Sequence, residues 1–293
     1  MPRRILEEKL LKMLAEDVGQ GDITTALIIP ENSIAEAEVI AKETGIAAGI
    51  EEAKILLESL GLKVVFSVED GEEIKEKQIL MKISGNTRTI LSVERTLLNI
   101  LSRMSGIATA TRKIKEKLQK AGLKTIIACT RKTTPGLLYF DKKAVLIGGG
   151  DTHRLHLDDM VLIKDNHIAA AGGIKKAMEK VREKVSFSKK IEVEVSSIND
   201  VLVAARTGAD IIMLDNFSPT QIEASIQMLK EAGFFGKVLL EASGGITMDD
   251  IVEFASTGVD IVSLGAITDS AKSLDISLEI RRVEKQTSKV VSS

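Results

Sequence analysis

Five basic side chains crowd one short stretch of this sequence: Arg131 and Lys132, then His153 and Arg154, then Lys164, with the triplet Gly148, Gly149 and Gly150 among them. Arginine forks grip carboxylates and phosphates, and lysine adds a point charge. A solvated surface stripe accounts poorly for them, because Arg131 and Lys132 follow the apolar run TIIAC and Lys164 follows MVLI. The chain as a whole offers no basic field, with 40 Lys and Arg against 42 Asp and Glu and a net charge of -2. Anion affinity therefore has to be local, in a cleft for a small polyanion.

Carboxylates complete the set. Glu192 and Glu194 are two apart in IEVEV, so they share one face of a strand while Ile191, Val193 and Val195 take the other. Asp215 ends another apolar run. Two glycine turns, Ser243-Gly244-Gly245 and Leu264-Gly265-Ala266, each follow a candidate strand, and the first leads into the helical run MDDIVEFAS. Backbone N–H groups in such turns can approach an oxyanion, and a helix amino terminus would add its dipole. His153 and His156 stand three apart near Asp151 and Asp158, a pattern that raises a metal site, but no second cluster has ligand spacing. The expectation is no protein-ligated metal, with His153 donating to a bound carboxylate and His156 and His167 structural.

The elements that must hold these residues follow from periodicity. Beyond Lys124 the rhythm is strand then helix, with candidate strands at 125–129, 160–163, 191–195, 211–214, 238–241 and 261–264 and helical runs between the later ones. Such βα repetition favours a parallel sheet with helices outside, closed as a barrel or open as a doubly wound sheet. The polar or glycine residue at the end of most strands favours the barrel, where strand carboxyl ends converge on one cavity. Before this region come an amphipathic helix through Ile5, Leu10, Leu11 and Leu14 that stops at 19–21, a small α+β module over 35–85, and a long helical stretch that Gly106 divides in two. The domains are expected at 1–107 and 108–274.

Cys129 is the only cysteine, so no internal disulfide forms and the thiol fits as a small packed residue. The first residues are basic but turn acidic before any long apolar run, unlike a signal peptide, and no run is long enough to span a bilayer. A cytoplasmic protein without nucleic-acid or membrane partners is expected.

At these residues the sequence resembles the quinolinate phosphoribosyltransferase family, the carboxylating nicotinate-nucleotide pyrophosphorylases. The matching pieces are EDVGQGDIT from Glu16, ERTLLN and SGIAT between Glu94 and Thr109, TRKTTPGL from Thr130, KKAV and GGG from Lys142, HR at His153, LIKDNH from Leu162, EVEV from Glu192, LDN at Leu214, SGGI from Ser243 and LGAIT from Leu264. The resemblance implies an amino-terminal α/β sandwich domain plus an open α/β barrel of the type II phosphoribosyltransferase class, with a helix from Asp275 returning so that 275–293 packs on the first domain. It implies the reaction of quinolinate with phosphoribosyl pyrophosphate and Mg²⁺ to nicotinate mononucleotide, pyrophosphate and CO₂, in NAD biosynthesis. It also implies a homo-oligomer, dimer or hexamer, whose active site is shared across a dimer interface, with Arg95 reaching the neighbour's substrate. Carried onto this chain, Thr130, Arg131, His153, Arg154 and Lys164 bind quinolinate with Arg95. Lys132, Glu194 and Asp215 are catalytic, and Ser243, Gly244, Gly245, Leu264, Gly265 and Ala266 cradle the 5′-phosphate. The chain departs from the family pattern at Leu138, Leu146 and Thr152.

Three rival readings stand beside this one. A related phosphoribosyltransferase could take another anionic heterocycle. A sugar-phosphate isomerase or lyase barrel would explain the glycine turns but not Arg95 or the basic loop. A non-catalytic binding protein would leave two carboxylates and several cations at one mouth without purpose.

Overall fold

The computed structural model describes residues 1–285. They form two compact units, one of Met1–Thr109 with the described residues from Ala271 on, the other of Ala110–Ser270.

In the first unit, helix α1 (Arg3–Val18) buries Leu6 and Leu10 and ends at Gly19, whose φ of 59° suits glycine. Its buried face therefore runs through Leu6 rather than Ile5, which is 54% exposed. A short helix, α2 (Ile23–Ile28), is capped by Asp22, whose Oδ1 accepts the Thr25 N–H at 3.0 Å. There follow β1 (Ser33–Ala41), β2 (Gly45–Ile46), α3 (Ile50–Ser59), β3 (Lys63–Ser67), β4 (Glu73–Ile74) and β5 (Ile79–Asn86). β1, β5 and β3 pair antiparallel in that order. Alternation along β1 buries Ala35, Ala37 and Val39 and turns Glu36 and Glu38 outward.

The long helical stretch is one helix, α4 (Thr87–Lys120), and Gly106 does not divide it. Its glycine serves a close approach instead: a Cβ at Gly106 would lie 2.1 Å from the carbonyl oxygen of Lys272. The helical hydrogen bonds tolerate glycine at a modest cost in propensity, and the packed chain at Lys272 requires it.

The second unit runs β6 (Ile126–Cys129), α5 (Leu138–Gly148), β7 (Val161–Ile163), α6 (Asp165–Ala171), α7 (Ile174–Lys184), β8 (Ile191–Val195), α8 (Ile198–Arg206), β9 (Ile211–Asp215), α9 (Pro219–Glu231), β10 (Leu239–Ser243), α10 (Ile251–Ser256), β11 (Ile261–Leu264) and α11 (Ala266–Asp269). Helix starts are encoded locally. Ser197 caps α8, and Ser218 forms a capping box with Gln221 ahead of Pro219 in α9. The six strands are parallel in the order β6-β11-β10-β9-β8-β7. The first strand thus lies beside the last and the others follow in succession. That is the cyclic order of a βα barrel left open between β6 and β7; a doubly wound sheet reverses direction from a central strand.

From Ala271 the chain rejoins the first unit as β12 (Ile276–Lys285), which pairs antiparallel with β1 and completes a four-stranded sheet. The expected helix from Asp275 is therefore a strand. Alternation explains it: Ile276, Leu278, Ile280 and Arg282 alternate with Ser277, Glu279 and Arg281, and β1 offers a free edge. The expectation for 286–293 lies outside the described residues.

Candidate active site

A cavity of about 600 Å³ opens where the carboxyl ends of all six parallel strands meet, and every residue lining it belongs to the second unit. Thr130, Arg131 and Lys132 enter after β6, His153 and Arg154 after α5, Lys164 after β7, Glu194 from β8 and Asp215 from β9. The turn Ser243-Gly244-Gly245 follows β10, and Gly265 and Ala266 follow β11. Two expected residues do not line it. Leu264 is 1% exposed inside β11, so only its backbone adjoins the turn. Arg95 is an exposed residue of α4 in the first unit.

The glycine triplet has a structural part. Gly149 ends α5 in the left-handed region at φ 93°, and the Gly150 N–H donates to Val145 O at 3.0 Å. Asp151 then bridges to β6, its N–H donating to Ile127 O at 2.7 Å while its carbonyl accepts from Cys129 N–H at 3.2 Å. His153 follows with φ 52°, unusual for a residue with a Cβ, held by its N–H to Asp151 Oδ1 at 2.6 Å. The basic loop is thereby carried to the mouth of the cavity. Burial, and then the charge of Arg131, pull Arg154 below the ordinary guanidinium value. Both guanidiniums line the one cavity, where an anion would offset their like charge.

His153 differs from expectation in what it touches. Its Nδ1 accepts the Arg154 N–H at 2.8 Å, and its Nε2 lies 3.1 Å from Glu241 Oε2 and 3.2 Å from Glu192 Oε2. Both ring nitrogens are engaged within the protein, so a bound carboxylate would meet the ring without either. Glu192 and Glu241 are fully buried. Burial alone would lower the His153 pKa, but hydrogen bonding and charge from the two carboxylates outweigh it and lift the value to about 10. Burial, with Glu241 beside it, raises Glu192 despite the opposing pull of His153. The two shifts compete for the same proton. An imidazolium would need a hydrogen on Nδ1, where Arg154 N–H already donates, so the geometry places the extra proton between Nε2 and the carboxylates. One Nε2–H serves one acceptor: Glu241 Oε2 takes it, and among the described residues neither Glu192 oxygen nor Glu241 Oε1 has a donor.

Glu241 is not among the site residues expected from the sequence, and Glu192 has no role among them. The signal was available for Glu241, because a Ser243 at the mouth places the residue two positions earlier on the same face, one layer deeper. The register agrees: Glu241 and Glu194 both pair with Met213 of β9.

At the rim, Lys164 Nζ donates to Glu194 Oε2 at 2.8 Å. Asp215 Oδ2 accepts from Asn216 Nδ2 at 2.8 Å, and the Asn216 N–H donates to Ser243 O at 2.8 Å, tying the ends of β9 and β10. Gly244 has φ 93°, and a Cβ there would stand 2.4 Å from Asn216 Oδ1. The turn therefore keeps bare backbone facing the cavity. The expected helix end is absent from it: α10 begins only at Ile251, after a turn in which Asp250 Oδ1 accepts the Thr247 N–H at 2.7 Å. Leu138, Leu146 and Thr152 do not line the cavity, so the departures they represent leave its lining unchanged.

Residues 22–105 and 107–279 match the two family models described as the quinolinate phosphoribosyl transferase N-terminal and C-terminal domains. The chain belongs to this family. Among curated relatives, the "probable nicotinate-nucleotide pyrophosphorylase (carboxylating)" of Methanothermobacter thermautotrophicus is 46% identical, over 92% of this chain and 97% of its own. The protein of the same name from Methanocaldococcus jannaschii is 48% identical, over 94% of this chain and 97% of its own. The solved nicotinate-nucleotide pyrophosphorylase of Francisella tularensis superposes with a TM-score of 0.87 at 38% identity, covering 96% of this chain and 98% of that one. Family membership and the two-domain fold agree with the arrangement of sheets. Among the described residues no helix is long and apolar enough to cross a membrane.

Proposed function

We propose that this chain is a quinolinate phosphoribosyltransferase, joining quinolinate to phosphoribosyl pyrophosphate and releasing pyrophosphate and CO₂ to give nicotinate mononucleotide for NAD biosynthesis. The observation that carries the reading is the meeting of Arg131, Arg154 and Lys164 with Glu194, Asp215 and the Gly244 turn around one cavity. A doubly acidic pyridine calls for the first three, and a phosphorylated sugar calls for the rest.

Arg131, Arg154 and Lys164, with Thr130, hold the adjacent carboxylates by charge-assisted hydrogen bonds, and the His153 ring packs beside them. The backbone from Ser243 to Gly245 and from Leu264 to Ala266 cradles the 5′-phosphate. The pyridine nitrogen attacks the anomeric carbon as its bond to the pyrophosphate oxygen breaks. Positive charge on the ribose is met by Glu194 and Asp215, and negative charge on the leaving pyrophosphate by Lys132. Alkylated nitrogen then draws the electron pair of the neighbouring carbon–carboxylate bond; CO₂ departs and that carbon takes up a proton.

Glu194 and Asp215 present hard oxygen donors at the rim, a donor set that fits Mg²⁺. The ion would arrive with phosphoribosyl pyrophosphate, bound mainly by the substrate's own oxygens beside these carboxylates, and would neutralise the leaving group. Arg95, exposed on α4, suits a homo-oligomer in which it reaches a neighbouring subunit's cavity. The lone, buried Cys129 thiol suits a reducing cytoplasm.

The test is an assay of the purified protein with quinolinate, phosphoribosyl pyrophosphate and Mg²⁺, following nicotinate mononucleotide and CO₂ together. Both products in equal amounts are expected. Turnover of another anionic heterocycle without CO₂ release from quinolinate would replace the reading with a sister transferase.

A further inference from the structure

Lys142 is a buried cation with no part in the chemistry above. It lies on α5 with 1% of its surface exposed, and burial holds its ammonium below the ordinary lysine value. A charge so placed is costly unless its hydrogens are all accepted. They are: Nζ donates to the carbonyl oxygens of Cys129 at 3.3 Å, Arg154 at 3.3 Å, and Thr152. Three hydrogens and three acceptors exhaust the capacity of an ammonium.

The identity of the acceptors matters more than their number. Cys129 closes β6 and precedes Thr130 and Arg131; Thr152 and Arg154 flank His153. One side chain thus grips both segments that bring guanidiniums to the cavity. The backbone bridge between the segments reaches only Ile127, Cys129 and Asp151. Past it, among the described residues, the links are Lys142 and a weak contact from Cys129 Sγ to Thr152 O at 3.7 Å. The sugar-phosphate side is fastened separately. Thr268 Oγ1 donates to Lys132 O at 2.7 Å, and Asn216 N–H holds Ser243 O.

We propose that Lys142 is a positioning residue for the dicarboxylate alone: its grip on three carbonyls keeps Arg131 and Arg154 directed into one cavity before the anion arrives. This rests on the reading that the cavity takes quinolinate. Pre-placed forks spare the substrate the work of gathering them, so loss of the grip should weaken binding of the pyridine and leave that of the sugar untouched.

The experiment compares the full-length wild type with Lys142→Met, which keeps length but has no donor, and Lys142→Gln, which keeps two amide hydrogens. KM for quinolinate, KM for phosphoribosyl pyrophosphate, and the calorimetric Kd for quinolinate are measured for each. Lys142→Met should raise KM and Kd for quinolinate by about tenfold or more while the other KM stays within about twofold, and Lys142→Gln should fall between. Should Lys142→Met fail to fold, Lys142→Gln is judged by the same split. Equal rises in both KM values, or a loss confined to kcat, overturn the proposal and leave the activity intact. A wild type that binds quinolinate without turning it over removes the activity, and the Kd ratio alone then decides for Lys142. A wild type that does not bind quinolinate overturns both.

Discussion

Lys164 Nζ and Glu194 Oε2 stand 2.8 Å apart, joining the carboxyl ends of the neighbouring strands β7 and β8. The cation expected to hold the pyridine acid and the carboxylate expected to face the ribose therefore neutralise one another. The lysine side chain is 44% exposed, so the pair adds little to stability. Arrival of the dicarboxylate gives Lys164 a second anion and leaves Glu194 available for developing positive charge. Glu194→Gln should accordingly cut kcat by about a hundredfold or more, the scale of losing one well-placed electrostatic group, and leave Tm close to that of the wild type. Unchanged turnover in a steady-state assay would remove Glu194 from the chemistry.

The His153 cluster ties stability to pH with a definite sign. The pKa raised to about 10 at His153, against an ordinary 6.5, belongs to a proton shared between Nε2 and the two carboxylates, and the native cluster holds it where the unfolded chain releases it. Glu192, also raised, acts in the same direction. The histidine part is complete below pH 6.5 and is lost as pH climbs toward 10, while the Glu192 part begins to fall already above its ordinary 4.5. Tm measured by scanning calorimetry should fall over that window, and Glu241→Gln, which takes one carboxylate from Nε2, should flatten the fall. A Glu241→Gln profile as steep as the wild type's would assign the loss to other groups.

Arg154 offers a test of fork geometry against simple charge. Arg154→Lys keeps the cation but loses the bidentate plane. KM for quinolinate should rise by about ten- to a hundredfold with kcat far less affected. Equal kinetics for the two proteins would mean that Arg154 acts only as a point charge.

The barrel was legible because its strands repeat a single local rule. All six candidate runs are strands, and the mouth residues follow from counting to each strand's end. The helix expected from Asp275 came with the family resemblance alone, whereas the alternation from Ile276 to Arg282 is a strand pattern that needs only the edge of β1 to pair with. Gly106 misled for a related reason. Its need for a bare Cα comes from Lys272, far along the chain, and a local pattern cannot hold that information. The buried triad escaped for a third reason. Glu192 reads as a partner of Glu194 by spacing, but its contact with His153 and Glu241 depends on three separate segments meeting inside the barrel.

Gly244 tests the phosphate cradle. With φ 93°, and with a Cβ that would fall 2.4 Å from Asn216 Oδ1 and 2.8 Å from Asn216 N, alanine must push β9's end away or open the turn. Gly244→Ala should lower stability by about 1–3 kcal/mol in urea titrations. It should raise KM for phosphoribosyl pyrophosphate more than KM for quinolinate. Gly245, with φ 64° and open space around its Cα, carries strain without a clash. Gly245→Ala should therefore cost less, and the reverse order would mean that the Asn216 contact does not set the turn.

Arg95 decides whether the cavity needs a second subunit. It is exposed on α4 in the first unit, outside the lining of the cavity. If it serves a neighbour's site, Arg95→Ala and Glu194→Gln damage opposite contributions to one shared centre. A reassorted heterodimer then holds one doubly damaged site and one intact site. Mixing the two inactive proteins in equal amounts under conditions of subunit exchange should restore about a quarter of wild-type activity, since half the dimers are mixed and half their sites are whole. Exchange is verified independently by native mass spectrometry of differently tagged chains. Confirmed exchange without recovered turnover would show that Arg95 does not complete the partner's site, and Arg95→Ala would then act only within its own subunit.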